Sequence, residues 1–175
     1  MKLKTIAFVA LTMVSLGAQA ATSTGITATF GGHTYTLLTA DTASASEAYA
    51  VSQGAHLIAV NSQAENDFLL ATFGSDLSYW LGLVRTSSGA STFAWTNGDA
   101  LTFTNWADSE PNNQGGDEDN VHTYTNGTWN DLPGASVYNG DKYGVMEAVP
   151  EPETYALMLA GLAAVGIVAR RRKSA

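Results

Sequence analysis

No cysteine occurs anywhere in the 175 residues. Disulfides, thiolate metal centres and cysteine nucleophiles are therefore excluded. Positive charge is nearly as scarce in the middle of the chain. Residues 21–150 carry 14 Asp and Glu against two bases, Arg85 and Lys142, a net charge of −12 where the full sequence has −8. Such a segment repels nucleic acid and anionic membrane, and it gains from binding a divalent cation. Histidine is sparse as well: His33, His56 and His122 follow no zinc-ligand spacing and read as surface or partly buried residues. There is no nucleophile–base pairing, no phosphate-binding glycine loop and no internal repeat, so the sequence gives no reason to expect an enzyme.

Long apolar runs are confined to the two ends. Lys2 and Lys4 precede an apolar stretch from Ile6 to Leu16, and Ala18-Gln19-Ala20 supplies a small-residue cleavage site. This order of basic, apolar and small residues marks 1–20 as a secretory signal peptide cut after Ala20. At the other end, the uncharged run Tyr155–Ala169 is followed by Arg170, Arg171, Arg172 and Lys173. A helix of that length reaches about 22 Å, short for a bilayer core of about 30 Å. It has no polar face, which argues for a short transmembrane span over an amphipathic core helix. The basic cluster holds its end on the cytoplasmic side. With Pro150-Glu151-Pro152 ahead of the apolar run, 150–175 resembles the PEP-CTERM sorting signal of exported bacterial proteins. That resemblance implies processing by an exosortase, transient anchoring in the inner membrane, and a final place at the cell envelope, cell surface or extracellular matrix.

About 130 residues remain between the two ends, enough for one domain with its own core. Ala21–Ala28 is small and polar and reads as a linker. Thr29–Leu38 alternates and reads as a strand. Ser44-Ala45-Ser46-Glu47 and Ser62-Gln63-Ala64-Glu65 both have capping-box spacing, and Gly54 and Gly74 stand where the two helices would stop. His56–Val60 between them reads as a short strand. Beyond Gly74 the pattern turns to strands at Tyr79–Val84, Thr92–Trp95, Leu101–Trp106, Asn120–Thr125, Thr128–Asn130 and Tyr143–Glu147. Asn97-Gly98 and Asn126-Gly127 supply tight turns. Two helices followed by a run of short strands predict an α+β fold.

The most chemically loaded stretch is EPNNQGGDEDN at 110–120, followed after a short strand by Trp129-Asn130-Asp131. Calcium takes six to eight oxygen ligands from carboxylates, amides, carbonyls and water. Glu110, Asn112, Glu118, Asn130 and Asp131 offer such oxygens, while Gly115 and Gly116 let the loop curl back. Taken alone, an acidic Asn/Gly-rich loop is more often a solvated turn than a metal site.

The order of motifs resembles a C-type lectin-like domain over residues 29–149. The matching elements are Gly54-Ala55-His56-Leu57, Glu65-Asn66-Asp67-Phe68-Leu69, Trp80-Leu81-Gly82-Leu83, Phe93-Ala94-Trp95, Asn105-Trp106, Glu110-Pro111-Asn112, Glu118-Asp119 and Trp129-Asn130-Asp131. The resemblance implies two helices with small antiparallel sheets and a long calcium-binding loop region. It implies a single Ca²⁺ held by Glu110, Asn112, Glu118, Asn130 and Asp131, with the same five residues meeting the sugar and Pro111 in the cis form. In that family Glu-Pro-Asn goes with mannose-type vicinal hydroxyls. The expected partner is a carbohydrate, an exopolysaccharide or cell-surface glycan. The alternative is a structural or protein-binding module in which calcium only orders the loop.

Two departures stand out. The family's two disulfides are absent: Ala50, Asn120 and Met146 take three of the positions, and the fourth falls near 132–135. Each missing bridge forgoes about 2–4 kcal/mol, so folding is expected to lean more on calcium. An auxiliary calcium site also looks lost, because Arg85–Gly89 reads RTSSG where acids would be needed and Asn113 replaces a further acid.

Overall fold

The computed structural model describes residues 20–138 and 140–148, with Ala160 and Leu162 alone from the tail. The signal peptide before Ala20 and almost all of the Tyr155–Ala169 span lie outside the described residues. Among those described, no helix is long and apolar enough to cross a membrane.

β1 (Ser23–Phe30) and β2 (His33–Ala40) form an antiparallel hairpin. The expected linker over 21–28 is thus mostly strand, and the expected strand over 29–38 breaks in two. Gly31 and Gly32, both at positive φ (59° and 90°), turn the chain between them. β1 escapes a reading by apolar alternation because it is a Thr-rich edge strand with both faces largely exposed.

Helix α1 (Ala43–Ser52) starts two residues earlier than the capping-box spacing predicts. Thr42, not Ser44, is its cap, accepting from the Ala45 amide at 3.1 Å. Helix α2 (Gln63–Phe73) follows the expected pattern. Ser62 accepts from the Glu65 amide at 3.2 Å, and the helix ends at Gly74. Glu65 accepts from the Asn61 amide at 2.7 Å, fixing the chain's entry into the helix.

The remaining strands are β3 (His56–Leu57), β4 (Ser78–Arg85), β5 (Phe93–Trp95), β6 (Asn120–Thr123), β7 (Trp129–Leu132) and β8 (Lys142–Ala148). They join β1 and β2 in a single mixed sheet of order β1-β2-β8-β4-β6-β7, where separate small antiparallel sheets were expected. β3 pairs with β8 and β5 with β4. The pair β4–β8 is parallel. Leu101–Trp106 is not a strand; among its residues only Trp106 forms a bridge, to Trp129. This segment's role is to pack Phe103 and Trp106 edge-on against the Trp129 ring.

The main core gathers Tyr35, Ile58, Val60, Leu69, Tyr79, Leu81, Leu83, Trp95, Val121, Trp129 and Val145, all buried. Gly82, at the centre of Trp80-Leu81-Gly82-Leu83, has no room for a side chain. A Cβ there would meet the Leu57 carbonyl at 2.5 Å and the Thr96 hydroxyl at 2.9 Å. That close approach lets the Gly82 amide donate to Ile58 at 2.9 Å and its carbonyl accept from Thr96 at 2.7 Å. The Asn120 side-chain amide lies 2.7 Å from the place a Gly134 Cβ would occupy, so it fills the space beside that glycine.

Candidate functional site

The β6–β7 hairpin is the platform of the site. Its register sets Val121 opposite Asp131, His122 opposite Asn130 and Thr123 opposite Trp129. Trp129 anchors it: the ring is fully buried, its indole N–H donates to Asn66 at 3.0 Å, and its amide donates to Asn105 at 2.7 Å. Asn130 and Asp131, the next two residues, are consequently held on a rigid and buried strand.

The acid loop is wrapped onto that strand by Asp131. One carboxylate oxygen accepts from the Asn112 amide at 3.0 Å. The other accepts from the Asn113 amide at 3.0 Å and from Arg85 Nη2. Asn113 takes the left-handed conformation (φ 48°), and a short 3-10 turn over Gln114–Gly116 follows. The Gln114 amide then donates to both the Asn112 side-chain oxygen (2.8 Å) and the Glu118 carboxylate (2.6 Å). Glu110 Oε1 accepts from the Asn112 side-chain amide at 3.0 Å, and the Glu110–Pro111 peptide is cis.

Glu110, Asn112, Glu118 and Asn130 line one cavity of about 240 Å³, together with Tyr124 and Tyr138 among others. Asp131 does not line it and binds the loop's backbone instead. Among the described residues no three histidine or acidic side chains could hold a metal by themselves. The donor set is a mixed one that depends on the amide oxygens of Asn112 and Asn130.

These residues fit a hard cation on two counts. Glu110 Oε2 is buried without a hydrogen-bond partner, an arrangement that costs free energy unless a cation or water meets it. Electrostatics agree, since burial and then the charge of Asp131 push the Glu110 carboxyl above its ordinary range. Burial raises Glu118 likewise, with Asp131 adding to the effect. Carboxylates whose ionisation is disfavoured in this way gain from a nearby positive charge.

His122 belongs to this site, although the sequence suggested only a surface or partly buried histidine. It is fully buried. Its Nδ1 lies 2.8 Å from the Thr123 carbonyl and its Nε2 lies 3.3 Å from the Asn130 amide nitrogen. The network assigns the proton to Nδ1, so Nε2 accepts from Asn130 and leaves the Asn130 oxygen free for a ligand. Burial, with Lys142 adding to it, pushes this imidazole down to about 4, so it stays neutral. Counting outward from Asn126-Gly127 as a two-residue turn would set Thr123 opposite Asn130. The Tyr124 amide instead donates to the Thr128 carbonyl at 2.7 Å across a three-residue turn, and this one-residue difference in register brings His122 to Asn130. His33 and His56 pair with Glu147 and Glu47 away from the site. Trp80 and Trp95 are buried in the core.

The Lectin C-type domain family model matches residues 39–139, and the PEP-CTERM protein-sorting motif matches 148–173. Mouse C-type lectin domain family 4 member G is 37% identical over 89 residues, which are 50% of this chain and 30% of that protein. The chain therefore spans under a third of that relative's length. Among solved structures, the carbohydrate-recognition domain of cow CD23, determined in the presence of a GlcNAc2Man3 oligosaccharide, superposes with a TM-score of 0.64 at 22% identity. The match covers 75% of this chain and 99% of that one. A calcium-independent type II antifreeze protein superposes with a TM-score of 0.59 at 20% identity, over 75% of this chain and 98% of that one. At these identities the two structures speak for the fold alone. The family match spans more than half of the sequence and carries the same motifs that build the hairpin and its acid loop: this chain belongs to the C-type lectin domain family, whose members are not enzymes.

Proposed function

We propose that this is an exported, calcium-dependent carbohydrate-binding protein that takes mannose-type vicinal hydroxyls through a single Ca²⁺ site. The observation that carries the reading is the buried, unpartnered Glu110 oxygen in a cavity shared with Asn112, Glu118 and Asn130. Calcium bound there would leave coordination positions that two neighbouring sugar hydroxyls can fill. The chain's own groups supply the rest. Glu110 and Glu118 are acceptors for hydroxyl protons, while the side-chain amide of Asn112 can donate to a hydroxyl oxygen. Tyr124 and Tyr138 border the same cavity, with Tyr138 57% exposed, and offer faces for the sugar ring. The Glu-Pro-Asn order supports mannose-type over galactose-type sugars by resemblance to the family.

The tail matched at 148–173 supports export and exosortase processing. The precursor would divide into a signal peptide at 1–20, the domain, and the tail from 150. A single shallow site binds weakly, so display of many copies on a surface would supply affinity through multivalency.

A second reading has its own observation. Asp131 already has both oxygens occupied by two amides and Arg85, so the loop closes on itself without help. That favours a structural or protein-binding module. Titrating the calcium-saturated full chain with mannose-type sugars separates the two. The proposal expects heat that chelator abolishes and Glu110→Ala removes; silence across a glycan panel would leave the module.

A further inference from the structure

The two bases of this acidic domain, Arg85 and Lys142, are both buried, at 8% and 2% exposure. Long basic side chains are almost never buried unless they are paired, so each position calls for a local reason. Lys142 donates to three carbonyls of the loop after β7. Arg85 sits against the acid loop, and its surroundings are those of a cation site already filled by a side chain.

Arg85 ends β4. Its backbone amide donates to the Asp119 carbonyl at 2.9 Å. Its guanidinium donates twice to the Glu118 carbonyl, from Nε at 3.0 Å and Nη2 at 2.9 Å. Nη1 donates to the Ala90 carbonyl and Nη2 to the Asp131 carboxylate. Asp119 Oδ1 lies 3.4 Å from Nε, and the guanidinium rests over the Phe93 ring at 4.6 Å. Two carbonyls and two carboxylates from three separate segments thus converge on one planar charge. A planar fork can address all four at once, which a compact ammonium cannot. Every polar partner of the guanidinium belongs to the turn at 86–92, the acid loop or β7, and two of them, Glu118 and Asp131, are candidate calcium ligands.

We infer that Arg85 is a positioning residue for the calcium site: an internal cation that holds the acid loop in its ligand-binding shape before any metal arrives. Asp131 is the link. Its carboxylate is fixed by Arg85 on one side and grips the Asn112 and Asn113 amides on the other. Glu118 is held through its carbonyl, which leaves its carboxylate directed to the Gln114 amide and the cavity. The role as a preorganising device for calcium rests on the proposed function, whereas the effect on the loop does not.

Amide hydrogen exchange on the full chain in chelator tests this, with the β2–β8 ladder as internal reference. In the wild type the amides of Asn112, Asn113, Gln114 and Glu118 should be protected without calcium. In Arg85→Met they should exchange at least tenfold faster while the ladder amides stay unchanged. Equal loop exchange in the two proteins overturns the inference. Should Arg85→Met fail to fold, Arg85→Lys carries the test, because it keeps the charge and loses the fork. Faster loop exchange at an unchanged ladder supports the inference, and wild-type loop exchange overturns it. If calcium slows loop exchange in none of the proteins, the calcium reading fails by itself, since the contribution of Arg85 is read in chelator.

Discussion

The loop before β6 and the loop after β7 each receive one buried base, and the two differ in what is left over. Lys142 meets the carbonyls of Ser136, Tyr138 and Gly140, and its ammonium also lies 5.6 Å from the Trp80 ring. Among the described residues of that loop, no buried side-chain polar atom is left without a partner. Arg85 meets the Asp131 and Asp119 carboxylates and the Glu118 carbonyl, yet the acid loop still holds Glu110 Oε2 buried without a hydrogen bond or an ion pair. Native structures leave few such groups, and a carboxylate oxygen among them is met by water or by a cation. A chain with no disulfide can therefore fix both loops with internal cations, but only one loop is left with a demand for more positive charge.

The largest effect should come from breaking the clasp of the acid loop. Asp131→Ala takes from Arg85 its fully buried carboxylate partner, leaving the more exposed Asp119 carboxylate at 3.4 Å, and frees two loop amides, which should cost about 3 kcal/mol. Urea unfolding measures it, and the calcium heat should vanish in the same variant. A cost under about 1 kcal/mol would mean that Arg85 finds other partners and the loop does not depend on the clasp.

The hairpin between the loops predicts a pH dependence. His122 titrates near 4 in the folded protein, below its ordinary value of about 6.5. The unfolded chain binds that proton more readily, so stability is complete above about pH 6.5 and declines as the pH falls toward 4, by up to about 3 kcal/mol. His122→Gln should flatten the slope in that window. Glu110 and Glu118 act with opposite sign, because their raised values make the folded state hold protons more readily than the unfolded one. Their cost appears as pH rises past the ordinary carboxylate range. Calcium should relieve it, so the gain in melting temperature on adding calcium should be greater at pH 7 than at pH 4.5.

Removing the other base sharpens the contrast. Lys142→Met strips three carbonyls of their donor and should cost about 2 kcal/mol, with calcium binding unaltered. If calcium binding fell with it, the two loops would not be independent. The smallest effect concerns the orientation of one ligand. His122→Ala frees the Asn130 amide to rotate, and loss of such an outer-shell partner should weaken calcium affinity about 10-fold.

Much of this arrangement was legible in the residues. The Asn-Gly turn of the hairpin and the gathering of Glu110, Asn112, Glu118 and Asn130, though not Asp131, around one cavity agree with motifs read from the sequence. Ser62 and Gly74 bound α2 where the spacing said they would. What escaped the sequence depended on long-range contacts. β1 is a strand because β2 offers it an edge, not because its own residues alternate. Leu101–Trp106 has strand-like composition, but its aromatics are held by Trp129 instead of by a neighbouring strand. Arg85 read only as the loss of an acid, because nothing local shows that its side chain turns inward to Glu118 and Asp131. The hint was in the charge count: with only two bases among so many acids, each was a candidate for an internal role.

Calorimetric titration of the full chain with Ca²⁺, repeated on Glu110→Ala, tests the central claim most directly. One calcium per wild-type chain is predicted, with the heat lost in the variant and the melting temperature of the wild type rising as calcium is added. No calcium heat in the wild type at neutral pH would contradict it, and would mean that Arg85 alone meets the acid loop's need for a cation.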